Sequence, residues 1–387
     1  MKVAGLFAGI GGLEVGLSRA GHEAAMFCEI SPAARAVLAA RFPGVPCVAD
    51  VLTLDHLPDD VDLLTAGFPC QDLSQAGKTA GIAGSRSGLV QRVFELLDDR
   101  PVPWVLLENV SFMLQLDGGR GLATLIEALE ARGYRWAYRV VNSLAFLPQR
   151  RERVLFLATN TGEDPAARLL VDDVAPPPPA TRLDTHAHGF YWTEGVRGLG
   201  WAPDAVPTLK NGSTIGIPSP PAILLPEGPV ITPDIRDAER LQGFDPDWTK
   251  PAEAVGRAST RWSLVGNAVS VPVAEWIGSR LAAPGRYDRA RDGAVLAPGD
   301  RWPRAARSDG ARRIAVQIGA HPVWRERLPL AFFLAHAGKP LSARATRGFL
   351  DRTDKGSLRF VPGFRDRVRH HLAMMEQIDG GLRFAAE

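Results

Sequence analysis

Cysteine is scarce: the 387 residues hold three, Cys28, Cys47 and Cys70. Three thiols cannot build a disulfide framework, so a reducing compartment, the cytoplasm, is expected. There is no CxxC or Cys/His spacing, and no metal site is expected. Cys28 and Cys47 read as small buried or half-buried thiols. Long apolar runs are also missing. No stretch of about 18 uncharged apolar residues occurs, which argues against a membrane-spanning helix. The opening run, Met1 to Phe7, lacks the longer apolar core and cleavage site of a secretory signal and reads as a strand. No internal repeat is present. Net charge is only +2, but it is unevenly spread. Residues 1–284 carry 25 Lys and Arg against 32 Asp and Glu, and residues 285–387 carry 20 against 11. That basic last segment points either to a polyanionic partner or to an ordinary solvated surface.

Hydrophobic content of 45% supports sizeable cores, and the length allows two or three domains. Strand-like and helix-like segments alternate through the first 160 residues. Strands are expected at 3–7, 24–28, 45–48, 61–66, 104–107, 138–141 and 154–158, with helices at 13–20 and 32–42. This order predicts an α/β fold with a doubly wound, mainly parallel sheet. Pro176 to Pro179 then open a segment, 176–233, rich in Pro and Gly, where extended strands and turns, or a loop-built surface, are expected. Helical patterning resumes at Pro233-Asp234-Ile235-Arg236 and again at 269–281. Pro284-Gly285 reads as a linker. Trp302, Trp324 and residues 340–350 give the last hundred residues the look of a folded addition.

Four segments carry chemistry. Phe7-Ala8-Gly9-Ile10-Gly11-Gly12 joins the first strand to the first helix, where glycine lets the backbone approach a ligand. The dinucleotide fingerprint would need glycine at position 14, which is Glu, and no P-loop Gly-Lys-Ser/Thr is present. A nucleotide-like ligand without a long phosphate chain fits better, although such a turn can also be purely structural. Glu29 ends the second strand, where an acid can accept from both ribose hydroxyls, and Asp50 can accept from an adenine amino group. Cys70 sits in Gly67-Phe68-Pro69-Cys70-Gln71, just past the strand at 61–66, where an open α/β sheet presents reactive groups. Glu108-Asn109-Val110 ends another strand with an acid, and Gln149-Arg150-Arg151-Glu152-Arg153 gathers arginines.

Taken in order, these segments, with Gln71-Asp72-Leu73-Ser74, Arg240-Leu241-Gln242-Gly243-Phe244 and Gly266-Asn267-Ala268-Val269, resemble a DNA (cytosine-5) methyltransferase of the bacterial restriction-modification type. The resemblance runs from residue 1 to about 281. It implies a Rossmann-like methyltransferase fold using S-adenosyl-L-methionine and releasing S-adenosyl-L-homocysteine. Cys70 would add to carbon 6 of a cytosine flipped out of double-stranded DNA. Glu108 would relieve charge at ring N3, and Arg151 would contact the base carbonyl and orient both groups. Arg153 and Gln149 would support them, while Arg150 reads as surface charge. The cofactor pocket would use Phe7, Gly9, Gly11, Gly12, Glu29, Ile30, Asp50, Val51, Pro69, Leu89, Asn267 and Val269. Residues 71–88, with Gly77, Gly81, Gly84 and Gly88, would form a loop closing over DNA. DNA contacts would come from Gln71, Ser74, Ser85, Arg86, Arg240, Gln242 and Gly243.

The implied domains are a catalytic, cofactor-binding one at 1–165 and a target-recognition one at 166–255. A return helix at 256–284 packs on the catalytic domain, and a basic extension occupies 285–387, assigned either to DNA binding or to a scaffold or dimer surface. Two departures stand out: Phe146-Leu147 replaces the usual Gly-Val, and Asp245 replaces the proline after Gln242-Gly243-Phe244. Both alter backbone-shaping positions rather than reacting groups. The resemblance further implies a monomer acting on the nucleoid, alone or beside a separate restriction endonuclease. Two other readings are a tRNA cytosine-5 methyltransferase, whose Cys-Phe-Thr element is lacking here, and a non-catalytic DNA-binding regulator, disfavoured by Cys70, Glu108 and Arg151.

Overall fold

The computed structural model describes residues 1–68, 88–212 and 220–384. Pro69, Cys70, Gln71, Ser74, Ser85 and Arg86 therefore lie outside the described residues. The chain divides into two compact units. The first comprises Met1–Ala145, Glu152–Pro176 and Ala268–Trp324; the second comprises Phe146–Arg151, Pro177–Asn267 and Arg325–Glu387. The segment after residue 284, expected as one addition, is thus shared between them. Pro284-Gly285 is no free linker: the Gly285 N–H donates to Ala167 O at 2.8 Å, and a Cβ there would touch Val171.

The first unit is built on one ten-stranded sheet. Strands β1 (Lys2–Leu6), β2 (Glu23–Cys28), β3 (Cys47–Val48), β4 (Leu63–Ala66) and β5 (Trp104–Val110) form its parallel half, in the order β5-β4-β1-β2-β3. All four residues of β4 are buried, as are the first six of β5. The mainly apolar residues of these strands, Leu63, Leu64 and Ala66 in β4 and Trp104 to Leu107 in β5, suit strands buried on both faces. Beyond β5 the sheet turns antiparallel through β8 (Glu152–Thr159) and β6 (Arg135–Asn142). Past β6 it continues with β15 (Ala305–Ser308), β16 (Arg313–Val316) and β14 (Asp292–Val295). The basic segment thus lengthens this sheet. Trp302 fastens it, edge-on to Trp136 at 6.3 Å, with its indole N–H donating to Gly119 O at 3.0 Å. Helices α1 (Gly12–Arg19), α2 (Pro32–Arg41), α3 (Gly88–Asp99) and α4 (Arg120–Ala131) separate the early strands. The expected helix after Val269 is α7 (Val271–Ala282), and it crosses α1 at Gly16, where a Cβ would stand 2.4 Å from that of Ala274.

The second unit holds a five-stranded antiparallel sheet. Its order is β10 (Trp201–Pro203), β9 (His188–Phe190), β12 (Ala222–Leu224), β13 (Val230–Thr232) and β17 (Lys339–Pro340). A separate parallel pair joins β7 (Gln149–Arg150) to β11 (Val206–Pro207). Helices α5 (Ile235–Leu241) and α6 (Thr260–Asn267) come after β13 in sequence, and α8 (Ala343–Lys355) and α9 (Phe364–Phe384) come after β17. Phe349, Leu350, Phe364 and Val368 from these last two helices share one core with Phe190, Ala222, Leu224 and Val230 of the strands. The described residues of the Pro- and Gly-rich segment form short strands and turns.

Candidate active site

Within the first unit, β1 ends in a loop whose backbone is unusual. Phe7 has φ 55° although it is not glycine, a conformation that costs on the order of 1 kcal/mol and needs support around it. The three glycines of this loop have different neighbours. A Cβ on Gly11 would strike the Phe42 ring at 2.7 Å, and one on Gly12 would meet Val269 O at 2.5 Å. A Cβ on Gly9 would meet nothing within 4 Å. Gly11 and Gly12 are therefore needed for close packing, and Gly9 faces open space. Glu29, at the end of β2, closes the loop: its Oε2 accepts the Gly9 N–H and its Oε1 the Ser31 N–H, each at 2.8 Å. Beside it Ile30 is 70% exposed, unusual for so apolar a side chain. Asp50 caps a short turn, its Oδ1 accepting the Leu52 N–H at 2.9 Å. Val51 is a buried member of the core, and Leu89 packs half-buried against that core. Val269 backs the loop through Gly12.

Glu108 lies near the end of β5 and is buried. Its carboxylate pairs with Arg153, Nε to Oε1 at 2.9 Å. Strand register explains the match. Val110 stands opposite Arg153 and Glu108 opposite Leu155, so Glu108 and Arg153 are diagonal neighbours on one face. Asn109, for which the motif suggested no role, donates from Nδ2 to Phe68 O at 2.9 Å while its Oδ1 accepts the Val110 N–H. Asn109 thereby holds the backbone that leads into Pro69 and Cys70. A Cβ on Gly67 would lie 3.9 Å from Glu108 Oε2, so this turn passes close to the acid. One signal for Asn109 was available in sequence: it directly follows Glu108 at a strand end.

The arginine motif is divided, because the chain leaves the second unit after Arg151 and enters the first at Glu152. Arg151, expected to orient the acid, is 2% exposed and donates to Leu209 O at 2.9 Å and Gly266 O at 3.2 Å, both within the second unit. The arginine on Glu108 is Arg153. Gln149 is fully buried, giving its amide to Leu241 O and Gln242 Oε1 and accepting the Leu209 N–H. Gln242, expected at DNA, is also fully buried and donates to Val265 O at 2.9 Å. It supports Gln149 and presents no surface. Arg240 pairs with Asp237 at 2.8 Å and also donates to Phe333 O, and Gly243, at φ 88°, ends its turn. These three residues build the second unit. Gly266 is required because any Cβ would overlap the Lys210 backbone, and Asn267 after it is exposed.

Among the described residues no group of three or more His, Cys, Asp or Glu could hold a metal, and no helix is long and apolar enough to cross a membrane.

The sheet, the glycine loop at its switch point and the buried strand-end acid define an α/β methyltransferase. A model of the C-5 cytosine-specific DNA methylases matches residues 1–181. The chain is 46% identical over 366 residues to the Type II methyltransferase M2.BsuMI of Bacillus subtilis (strain 168), covering 91% of this chain and 93% of that one. It is 37% identical over 161 residues to the Type II methyltransferase M.PspPI of Psychrobacter sp. (strain TA137), covering 40% and 39%. The crystal structure of the S. pombe Dnmt2 methyltransferase shares the fold, with TM-score 0.54 at 18% identity over 73% of this chain and 98% of that one. The chain belongs to the C-5 cytosine-specific DNA methylases. It is a DNA (cytosine-5)-methyltransferase of the type II restriction-modification kind.

Proposed function

We propose that this enzyme moves the methyl group of S-adenosyl-L-methionine to carbon 5 of a flipped cytosine in duplex DNA, with Cys70 as nucleophile and Glu108, held by Arg153, at ring N3. The observation that carries the reading is the buried Glu108–Arg153 pair beside the Gly67-Phe68 turn.

The residues of the cofactor loop suit the donor. Gly9 leaves room where a side chain would stand, Glu29 offers carboxylate lone pairs to ribose hydroxyls, Ile30 offers an apolar face to adenine, and Asp50 accepts from its amino group. S-adenosyl-L-methionine supplies an electrophilic methyl on sulfonium sulfur and leaves as S-adenosyl-L-homocysteine. Cytosine carbon 5 is a poor nucleophile until carbon 6 carries a thiolate. Cys70 forms the S–C6 bond, and the electron pair displaced from the ring settles toward N3, where Glu108 shares or donates a proton. Arg153 fixes the Glu108 carboxyl and can extend to the base carbonyl, the role expected of Arg151. Once carbon 5 is methylated, its proton passes to water or base, the S–C6 bond breaks, and the thiolate is regenerated.

In the same reading the enzyme acts as a monomer on nucleoid DNA in the cytoplasm and protects sites that a separate restriction endonuclease cuts. DNA substituted with 5-fluorocytosine tests the chemistry, because carbon 5 then has no proton to lose and the adduct persists. The native enzyme with S-adenosyl-L-methionine is expected to give a denaturant-stable adduct, Cys70→Ala none, and Arg153→Ala a much slower one. An adduct formed by Cys70→Ala would overturn the assignment.

A further inference from the structure

The second unit carries a basic groove that none of the methyltransferase motifs accounts for. It lies on α8 and encloses about 430 Å³, between Trp192-Thr193 on one side and Ser342, Arg344 and Arg352 on the other. A second groove of about 610 Å³ continues from it past Trp192 and Ser342 to Lys339. Its opposite wall includes Asp234, paired with Arg236 at 2.8 Å, and Glu253, which shares Arg261 with Glu239 and Asp247.

The cations of the groove are differently placed. Four arginines of this C-terminal segment are committed to acids: Arg327 to Asp204, Arg347 to Glu376, Arg365 to Asp354 and Arg369 to Asp366. Lys339 and Arg344 are exposed, and among the described residues neither forms an ion pair. Exposed charge without an internal partner adds no stability to the fold, but it does raise the local positive potential. Ser342, between them, is the N-cap of a 13-residue helix, so the helix dipole adds to the same field. Trp192 is fixed by its N–H on Pro220 O at 2.9 Å, and Arg352 donates to Trp192 O, so the indole is held in place before anything binds.

We propose that this groove binds the sugar-phosphate backbone of duplex DNA, with Lys339 and Arg344 on phosphates and Trp192 against sugar. The inference rests on DNA being the substrate and adds a contact outside the methyltransferase motifs. It gives the unequal charge of the chain a purpose: the excess of basic residues beyond 284 includes cations that the fold itself leaves unused.

The test uses the full chain, plasmid DNA lacking modification for activity, and a 30-base-pair duplex of arbitrary sequence for binding. Wild type, Lys339→Glu/Arg344→Glu, Lys339→Arg/Arg344→Lys and Arg301→Glu are compared. Arg301, exposed in the first unit, controls for a single charge reversal elsewhere on the surface, compared per reversed residue. The logarithm of affinity is plotted against that of salt. Each lost phosphate contact lowers the slope by about 0.9, so the double reversal is expected to lower it by about 2 and to raise the KM for DNA. Its kcat at saturating DNA and its affinity for S-adenosyl-L-methionine should match wild type, and the Lys/Arg exchange should restore the slope. An unchanged slope in the double reversal, or an equal fall in Arg301→Glu, would overturn the proposal. If wild type fails to methylate plasmid DNA at all, it is the underlying reading that fails.

Discussion

Glu14 should make the first unit less stable as pH rises towards neutrality. It lies in the first turn of α1 and is 2% exposed. Its Oε1 accepts from Thr65 Oγ1 at 3.0 Å, and a Cβ on Gly5 would approach the same oxygen to 2.4 Å. Its Oε2 is buried without a hydrogen-bond partner, which makes that atom the natural seat of a proton. Burial pushes the pKa from 4.5 up to about 7, against the pull of the backbone amide and of Thr65; the Glu29 charge adds to the rise. Because the folded-state pKa is raised, the folded chain holds the proton more tightly than the unfolded chain. The stabilisation is fully present below pH 4.5 and is lost as pH climbs through 7. A rise of about 2.5 units corresponds to about 3 kcal/mol, or roughly 5–10 °C in Tm for a unit of this size. Glu14→Gln removes the titration. The absolute offset between the two proteins also reflects how the new amide is accommodated, so the comparison rests on slope. Thermal unfolding from about pH 4 to 9 should show wild type falling relative to Glu14→Gln as pH rises from 4.5, with the fall levelling off above about 7. Thr65→Val, lacking the donated bond, should move that levelling point higher. Parallel curves for wild type and Glu14→Gln would refute the reasoning.

Glu29→Ala should weaken S-adenosyl-L-methionine binding about 10- to 100-fold by titration calorimetry, since it removes a carboxylate that accepts charge-assisted hydrogen bonds and also frees the Gly9 amide. Glu108→Gln should lower kcat by about 10²- to 10⁴-fold with little change in cofactor affinity, because it removes the proton-sharing group and weakens the hold on Arg153. Gly16→Val should destabilise the first unit by about 1–3 kcal/mol in urea unfolding, because the added carbons collide with α7 at Ala274.

The parallel half of the sheet was legible because buried strands read as mainly apolar runs, as β4 and the first four residues of β5 do. The end of β5 placed Glu108. Which arginine meets Glu108 was not legible. Arg151 and Arg153 have the same alternation parity, and only the register of β8 against β5, together with the departure of the chain into the second unit before Glu152, separates them. Gln242 misled for a related reason. A polar residue before a glycine looks like a surface contact, and nothing local shows that Gln149, 93 positions earlier, requires it as a buried partner. The fate of residues 285–387 was hidden because both destinations depend on pairing with strands far away in sequence, β6 for one part and β13 for the other.

That second pairing bears on how the second unit is built. The strands between Pro177 and Thr232 are short: β9, β10, β12 and β13 have three residues each. A sheet of such strands cannot bury enough surface to stand alone. What completes it comes from beyond residue 325. The Phe349 ring lies 4.3 Å from that of Phe190, and Phe364 packs edge-on to Phe190 at 5.4 Å. Phe349 is fully buried, so Phe349→Ala should cost about 3–5 kcal/mol, most of the margin of a marginally stable unit. Removing 325–387 would therefore unfold the second unit, and loss of DNA binding in such a truncation would say nothing about direct contact. Limited proteolysis separates the cases: Phe349→Ala should open cleavage between 177 and 267 while the first unit keeps its affinity for S-adenosyl-L-methionine. If Phe349→Ala resists protease as wild type does, the C-terminal helices do not hold the five-stranded sheet together.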